Sequence, residues 1–140
     1  LFAGAVVNPG SEDLDKELAR MEQKIEAGAS FFQSQGIFDV KLFEKFMESA
    51  NRFNVPVLAG IIVVKSGNMA RYLNSNLPGV TVPDEIIDDL ESSKDRVESS
   101  VKIAGRIIRD VSSLCSGVHI MAIGWESRIP SIVSEAGLKE

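Results

Sequence analysis

One cysteine, one histidine, one tryptophan and one tyrosine are spread over 140 residues, and each scarcity excludes something. A lone Cys115 rules out a disulfide framework and any multi-cysteine metal cluster. With His119 also alone, no His/Cys set remains for a zinc ion, so no metal is expected. No apolar run approaches the roughly 20 residues of a membrane span, and the start does not read as a signal peptide. Positive charge is in deficit: 15 Lys and Arg against 20 Asp and Glu leave a net charge of −5. That balance argues against a nucleic-acid surface and against an anionic-membrane surface. Neither a Gly-x-Gly-x-x-Gly turn nor a Walker-type loop occurs anywhere. What is there is the composition of an ordinary soluble globular domain, 44% hydrophobic and 25% charged. A chain of this length can bury roughly two thirds of its unfolded surface. It opens at Leu1 rather than Met, directly into an apolar run, and so reads as a piece of something longer.

The chain repeats one local grammar. Residues 1–7 form a short apolar run that stops at the turn signal Asn8-Pro9-Gly10. Ser11 then offers an N-cap, Glu12 and Asp13 suit a first turn, and Leu14, Leu18, Met21 and Ile25 recur at helical spacing before Gly28. Residues 30–38 read as a second strand, and Asp39 caps a helix with Leu42, Phe43, Phe46, Met47 and Ala50 on one stripe. Residues 55–64 are nearly all apolar, as in a strand buried on both faces. Ser66-Gly67-Asn68 opens a helix that Leu77-Pro78-Gly79 breaks. A short helix runs from Pro83 to Leu90, a long one spans 94–115 until Gly117, and residues 118–123 make a fourth strand. Gly124-Trp125 leads into a last helix over 130–136.

Four apolar strands, each followed by at least one amphipathic helix, predict an α/β fold with a parallel sheet. A small open doubly wound sheet and part of a (β/α)₈ barrel both satisfy that pattern. The barrel is favoured because polar or Gly residues gather at the strand ends: Asn8, Gln33 and Gln35, Lys65 and Ser66, Gly124 and Trp125. A complete barrel needs about 250 residues, so four βα units make half of one, a single partial domain over 1–140 with no linker.

Chemistry-bearing residues are few. Gln33 and Gln35 share one face of a regular strand, where a carboxamide can donate to and accept from a heterocycle edge or simply bond neighbouring backbone. Lys24 near a helix C-terminus is favoured there whatever its role. His119 in an apolar strand is expected to be packed and hydrogen-bonded, and Cys115 to be core. Tyr72 and Leu73 read as packing, and the acidic run Asp84, Glu85, Asp88, Asp89 and Glu91 as a solvated face. No Ser/His/Asp or Cys/His set exists, so the residues by themselves reach a binding face and no further.

Several segments in order resemble the methylenetetrahydrofolate reductase family: Asn8-Pro9-Gly10 with Asp13-Leu14-Asp15, residues 24–29, 31–39, 55–62, 77–83 and 117–121. The series runs nearly the full length and is most similar to the bacterial and acetogen-type branch, in which an Asn-Pro-Gly loop replaces a Tyr-Pro motif. The resemblance implies the C-terminal half of a (β/α)₈ TIM barrel from a cytoplasmic flavoprotein of one-carbon metabolism and methionine biosynthesis. Such an enzyme uses FAD to reduce methylenetetrahydrofolate to methyltetrahydrofolate. It implies a flavin-contacting Lys24, further flavin contacts at Asn8, Glu17, Arg20 and Gln23, a pterin contact at Gln35, and a substrate-side position at Leu73 or its neighbour Tyr72. Arg20 and Gln23 differ in type from the family pattern. At the fourth strand, residues 119–124 lack the family's Thr and Asn, and Trp125 stands where an Arg is usual. The family's acid and its pterin-binding Asp belong to the other half of the barrel, so no catalytic residue is expected in this chain and the isolated fragment should be inactive. Expected partners are a folate, NAD(P)H or an electron-transfer protein, and a second copy through unpaired sheet edges. A non-catalytic half-barrel that self-associates, or a folate-binding barrel serving a methyltransferase, are the alternatives.

Overall fold

A computed structural model describes residues 1–138. Four strands, β1 (Ala3–Val7), β2 (Ala29–Gly36), β3 (Val57–Ile62) and β4 (Gly117–Met121), form one sheet in the order β1-β2-β3-β4, each pair parallel. A doubly wound sheet reverses its strand order at a switch point. This one never does; it steps one way, as a barrel segment must.

The helices between the strands are α1 (Leu14–Glu26), α2 (Val40–Ala50), α3 (Gly67–Asn76), α4 (Asp84–Ser92), α5 (Arg96–Val111) and α6 (Ile129–Glu135). Side-chain oxygens start four of them: Asp13 accepts from Lys16 N, Asp39 from Leu42 N, Ser66 from Met69 N and Asp95 from Glu98 N. The cap of α1 is therefore Asp13 and not Ser11, whose hydroxyl instead donates to the Asp13 carbonyl. The long helix is shorter than its apolar pattern, because Asp95 caps it late and it turns out at Ser112; Gly117 opens β4 rather than closing the helix.

One sheet face packs against the helices through the fully buried Phe32, Val57, Ala59 and Ile61, with Phe43, Phe46, Ile108 and Val111 above them. The register sets Val6, Gln33, Leu58 and Gly117 in one row across the other face, and Gly60 beside His119 in the next. That face is open: Val6 is 55% exposed, and His119 is exposed too. Among the described residues the imidazole has no hydrogen-bond partner, so His119 is neither packed nor bonded. Its side chain lies on the face that no helix covers.

Between Gln33 and Gly36 the pairing of β2 with β3 slips: three steps along β2 match two along β3, from Gln33↔Leu58 to Gly36↔Gly60. The extra residue is a β-bulge beside Gln35, while burial still alternates along β2 from Phe31 to Gly36.

Candidate functional site

The C-terminal strand ends carry the polar side chains. After β1 the chain turns at Asn8, whose Oδ1 accepts from Gly10 N at 3.1 Å while its carbonyl accepts from Ser11 N at 3.1 Å. Asn8 Nδ2 reaches across to donate to the Pro78 carbonyl at 3.2 Å, docking this loop on the one that follows α3. The fit is tight enough to need two glycines: a Cβ on Gly10 would lie 1.9 Å from the Gly79 carbonyl oxygen, and one on Gly79, at φ +80°, would meet the Asn8 amide at 2.3 Å.

Glu17, on the first turns of α1, is 6% exposed and accepts the Asn8 backbone N–H on Oε1 at 2.8 Å. Its other oxygen lies 3.7 Å from Arg20 Nη1, one helical turn on. Lys24, a further turn along, donates from Nζ to the Val6 carbonyl at 2.6 Å. Helical spacing thus puts Glu17, Arg20 and Lys24 on the side of α1 that faces the end of β1.

Together with Val6, Val7, Asn8, Ser11 and Gln35, these three side chains line a groove of about 230 Å³. A second groove of about 300 Å³ lies on the other side of Asn8 and Gln35, walled by residues 36–39, Leu42, Gly79 and Thr81. Asn8 and Gln35 are the polar residues shared by both. Gln33 does not join them; it lines a shallow depression on the open sheet face with Gly4, Val6 and Phe31. Val6 borders both glutamines, and Gln35 lies further along β2, level with Asn8, because the strands pair as Val6↔Gln33 and Val7↔Ser34.

Of the eight candidate residues, Asn8, Glu17, Arg20, Lys24 and Gln35 come together. Gln23 is exposed and lines neither groove. Leu73 is 5% exposed within the core, and Tyr72 beside it is 62% exposed; neither borders Gln35. Leu42, read from spacing as core, is 41% exposed and walls the second groove, because the α2 stripe centres on Phe43, Phe46 and Met47.

The end of β4 carries a third polar cluster. Ile123 adopts φ +49°, which a β-branched residue rarely accepts, and Gly124 follows at φ +85°. Lys65 Nζ donates to the Ile123 carbonyl and lies 5.2 Å from the centre of the Trp125 ring. Glu126 accepts Gly124 N at 2.9 Å, and that bond chiefly, with its own backbone N–H and the nearby Lys65 charge, holds its carboxyl below the usual range. Cys115 is half-buried; burial pushes its thiol up, away from nucleophilic duty. Among the described residues no group of three His, Cys, Asp or Glu could hold a metal ion, and no helix is long and apolar enough to cross a membrane.

Comparison with known proteins bears on the family and the fold. The chain is similar to a probable methylenetetrahydrofolate reductase (NADPH) of Caenorhabditis elegans, 24% identical over 94% of this chain and 21% of that protein. It is 26% identical to methylenetetrahydrofolate reductase 2 of Schizosaccharomyces pombe, over 91% of this chain and 22% of the relative. The chain therefore spans about a fifth of the length of these relatives. Its fold matches, with TM-score 0.67 and 19% identity, an uncharacterized protein from Clostridium thermocellum that binds two copies of 5-methyl-5,6,7,8-tetrahydrofolic acid, covering 97% of this chain and 52% of that one. A match over about half of a longer chain is what a partial barrel gives. The sequence profile described as methylenetetrahydrofolate reductase matches residues 5–137, and on that match the chain belongs to the methylenetetrahydrofolate reductase family.

Proposed function

We propose that this chain is the flavin- and folate-contacting portion of a cytoplasmic FAD-dependent oxidoreductase that reduces 5,10-methylenetetrahydrofolate to 5-methyltetrahydrofolate with electrons from NAD(P)H. The observation that carries the reading is the convergence of Asn8, Arg20, Lys24 and Gln35 on one strand-end groove. Strand ends of this kind are where barrel enzymes hold ligands.

The residues present suit a flavin dinucleotide. Arg20 and Lys24 are two cations one helical turn apart on the groove wall, and Arg20 keeps about half of its side chain in solvent. A pyrophosphate needs such donors. Glu17 is the exception: its carboxylate is occupied by Asn8 N and faces Arg20, so it shapes the groove and orients Arg20 rather than meeting the cofactor. FAD, when bound, supplies the hydride chemistry; the protein supplies position and electrostatics. Gln35, half-buried between the two grooves, offers one acceptor and two donors, a set suited to the alternating edge of a pterin. Tyr72 is exposed, so of the pair on α3 it alone is free to meet substrate.

Reconstitution tests the reading. The purified protein should take up FAD with its visible absorbance and bind 5-methyltetrahydrofolate; Gln35→Ala should weaken folate binding roughly tenfold, the worth of one or two hydrogen bonds, with flavin retention unchanged. A protein that stays colourless refutes the flavin assignment, and equal loss of both ligands makes Gln35 a structural residue.

A further inference from the structure

Ser34 immediately precedes Gln35 and is 4% exposed, a buried hydroxyl in the middle of a strand. Its Oγ accepts the Gly60 N–H at 2.9 Å and donates to the Gln35 carbonyl at 2.8 Å. Both bonds lie inside the bulge. The ladder regains its rhythm one step later, where Ile37 N donates to the Gly60 carbonyl at 2.9 Å. The hydroxyl therefore does what a backbone carbonyl of β2 would do in a regular ladder: it satisfies the amide of β3 while the β2 backbone steps out. Gly60 is fitted to this arrangement, since a Cβ there would stand 2.5 Å from the Ser34 carbonyl oxygen and 3.1 Å from that of Gln35.

From these contacts we infer that Ser34 is a positioning residue: its hydroxyl ties the Gln35 carbonyl to the Gly60 amide and so holds the β2 backbone that presents Gln35 to the groove beside Asn8. The inference rests on the reading of Gln35 as a folate contact. Without the hydroxyl, the buried Gly60 N–H either stays unpaired or recruits a β2 carbonyl. Recruiting one removes the extra residue, and a one-residue slip carries a strand side chain to the opposite face. Ser34 touches no groove itself, so it acts only through its neighbour.

The test is a double-mutant cycle read by calorimetric titration of the protein with 5-methyltetrahydrofolate. Ser34→Ala should raise Kd roughly five- to tenfold, Ser34→Thr, which keeps the hydroxyl, should bind as the parent does, and Ser34→Ala in a Gln35→Ala background should add nothing. Should Ser34→Ala fail to fold, Ser34→Cys carries the same comparison, because a thiol fills the site but is a weak donor and acceptor. Losses that multiply in the double variant, or a serine-deleted protein that binds normally, overturn the inference. A parent protein that does not bind the folate at all refutes the reading of Gln35 beneath it.

Discussion

Removing the Glu17 carboxylate separates its two roles. The side chain is 6% exposed and makes two contacts of unequal weight: a 2.8 Å bond from Asn8 N and a 3.7 Å approach to an arginine whose side chain is 55% exposed. The second is an ion pair in contact with solvent, worth at most about 1 kcal/mol. The first satisfies a part-buried backbone N–H with a charged acceptor, worth about 1.5–3 kcal/mol and unreplaced if the carboxylate is truncated. Glu17→Ala should therefore lose about 2–4 kcal/mol, seen as a lower urea midpoint at unchanged m-value and a Tm drop of roughly 8–15 °C for a domain of this size. Glu17→Gln keeps an acceptor for Asn8 N and gives up only charge, so it should lose about 1 kcal/mol. Far-UV circular dichroism during urea unfolding measures both. If Gln proves as damaging as Ala, the carboxylate acts through its charge and the loop bond is incidental; if Ala proves neutral, neither contact matters.

Gly60→Ala should cost more than the roughly 1 kcal/mol of an ordinary buried methyl, because the new Cβ meets two backbone carbonyls rather than a movable side chain; insoluble expression or a fall of several kcal/mol in urea unfolding is the expected result. Glu126 should report on the β4 loop. Its folded carboxyl titrates below the ordinary 4.5, so its contribution is present above that value and is lost as pH falls through the lower folded pKa. The emission of Trp125, the single tryptophan, should follow that acid titration, and Glu126→Gln should abolish it. The open sheet face, with Phe2 76% and Val6 55% exposed, should drive self-association of these 140 residues. Sedimentation velocity giving a stable monomer at high concentration would count against that.

The βα rhythm is legible because its punctuation is local. Asp39, Ser66 and the Leu77-Pro78-Gly79 break act within one turn of chain, and each stands where its chemistry predicts. Ser11 and Asp13 both carry a suitable oxygen, and which one caps depends on how the chain leaves Asn8, which a window of sequence does not hold. His119 was unreadable for a related reason: in a parallel strand both faces are apolar, so composition does not tell the helix-covered face from the open one. The meeting of Asn8, Glu17, Lys24 and Gln35 was half legible. Helical spacing aligns Glu17, Arg20 and Lys24. That Gln35 joins them while Gln33 does not depends on the register of β1 against β2, a property of two strands that neither contains.

Gly10 and Gly79 stand 69 positions apart, yet neither tolerates a side chain while the other's loop stays in place. Substitution at one is admissible only alongside rearrangement of the other, so the two loops constitute a single unit of variation. Libraries meant to reshape this end of the sheet should randomise both loops together. Diversity placed in the Asn8 loop alone would be spent largely on proteins that no longer close the contact with Pro78, and the combinations that recover it would appear only as pairs.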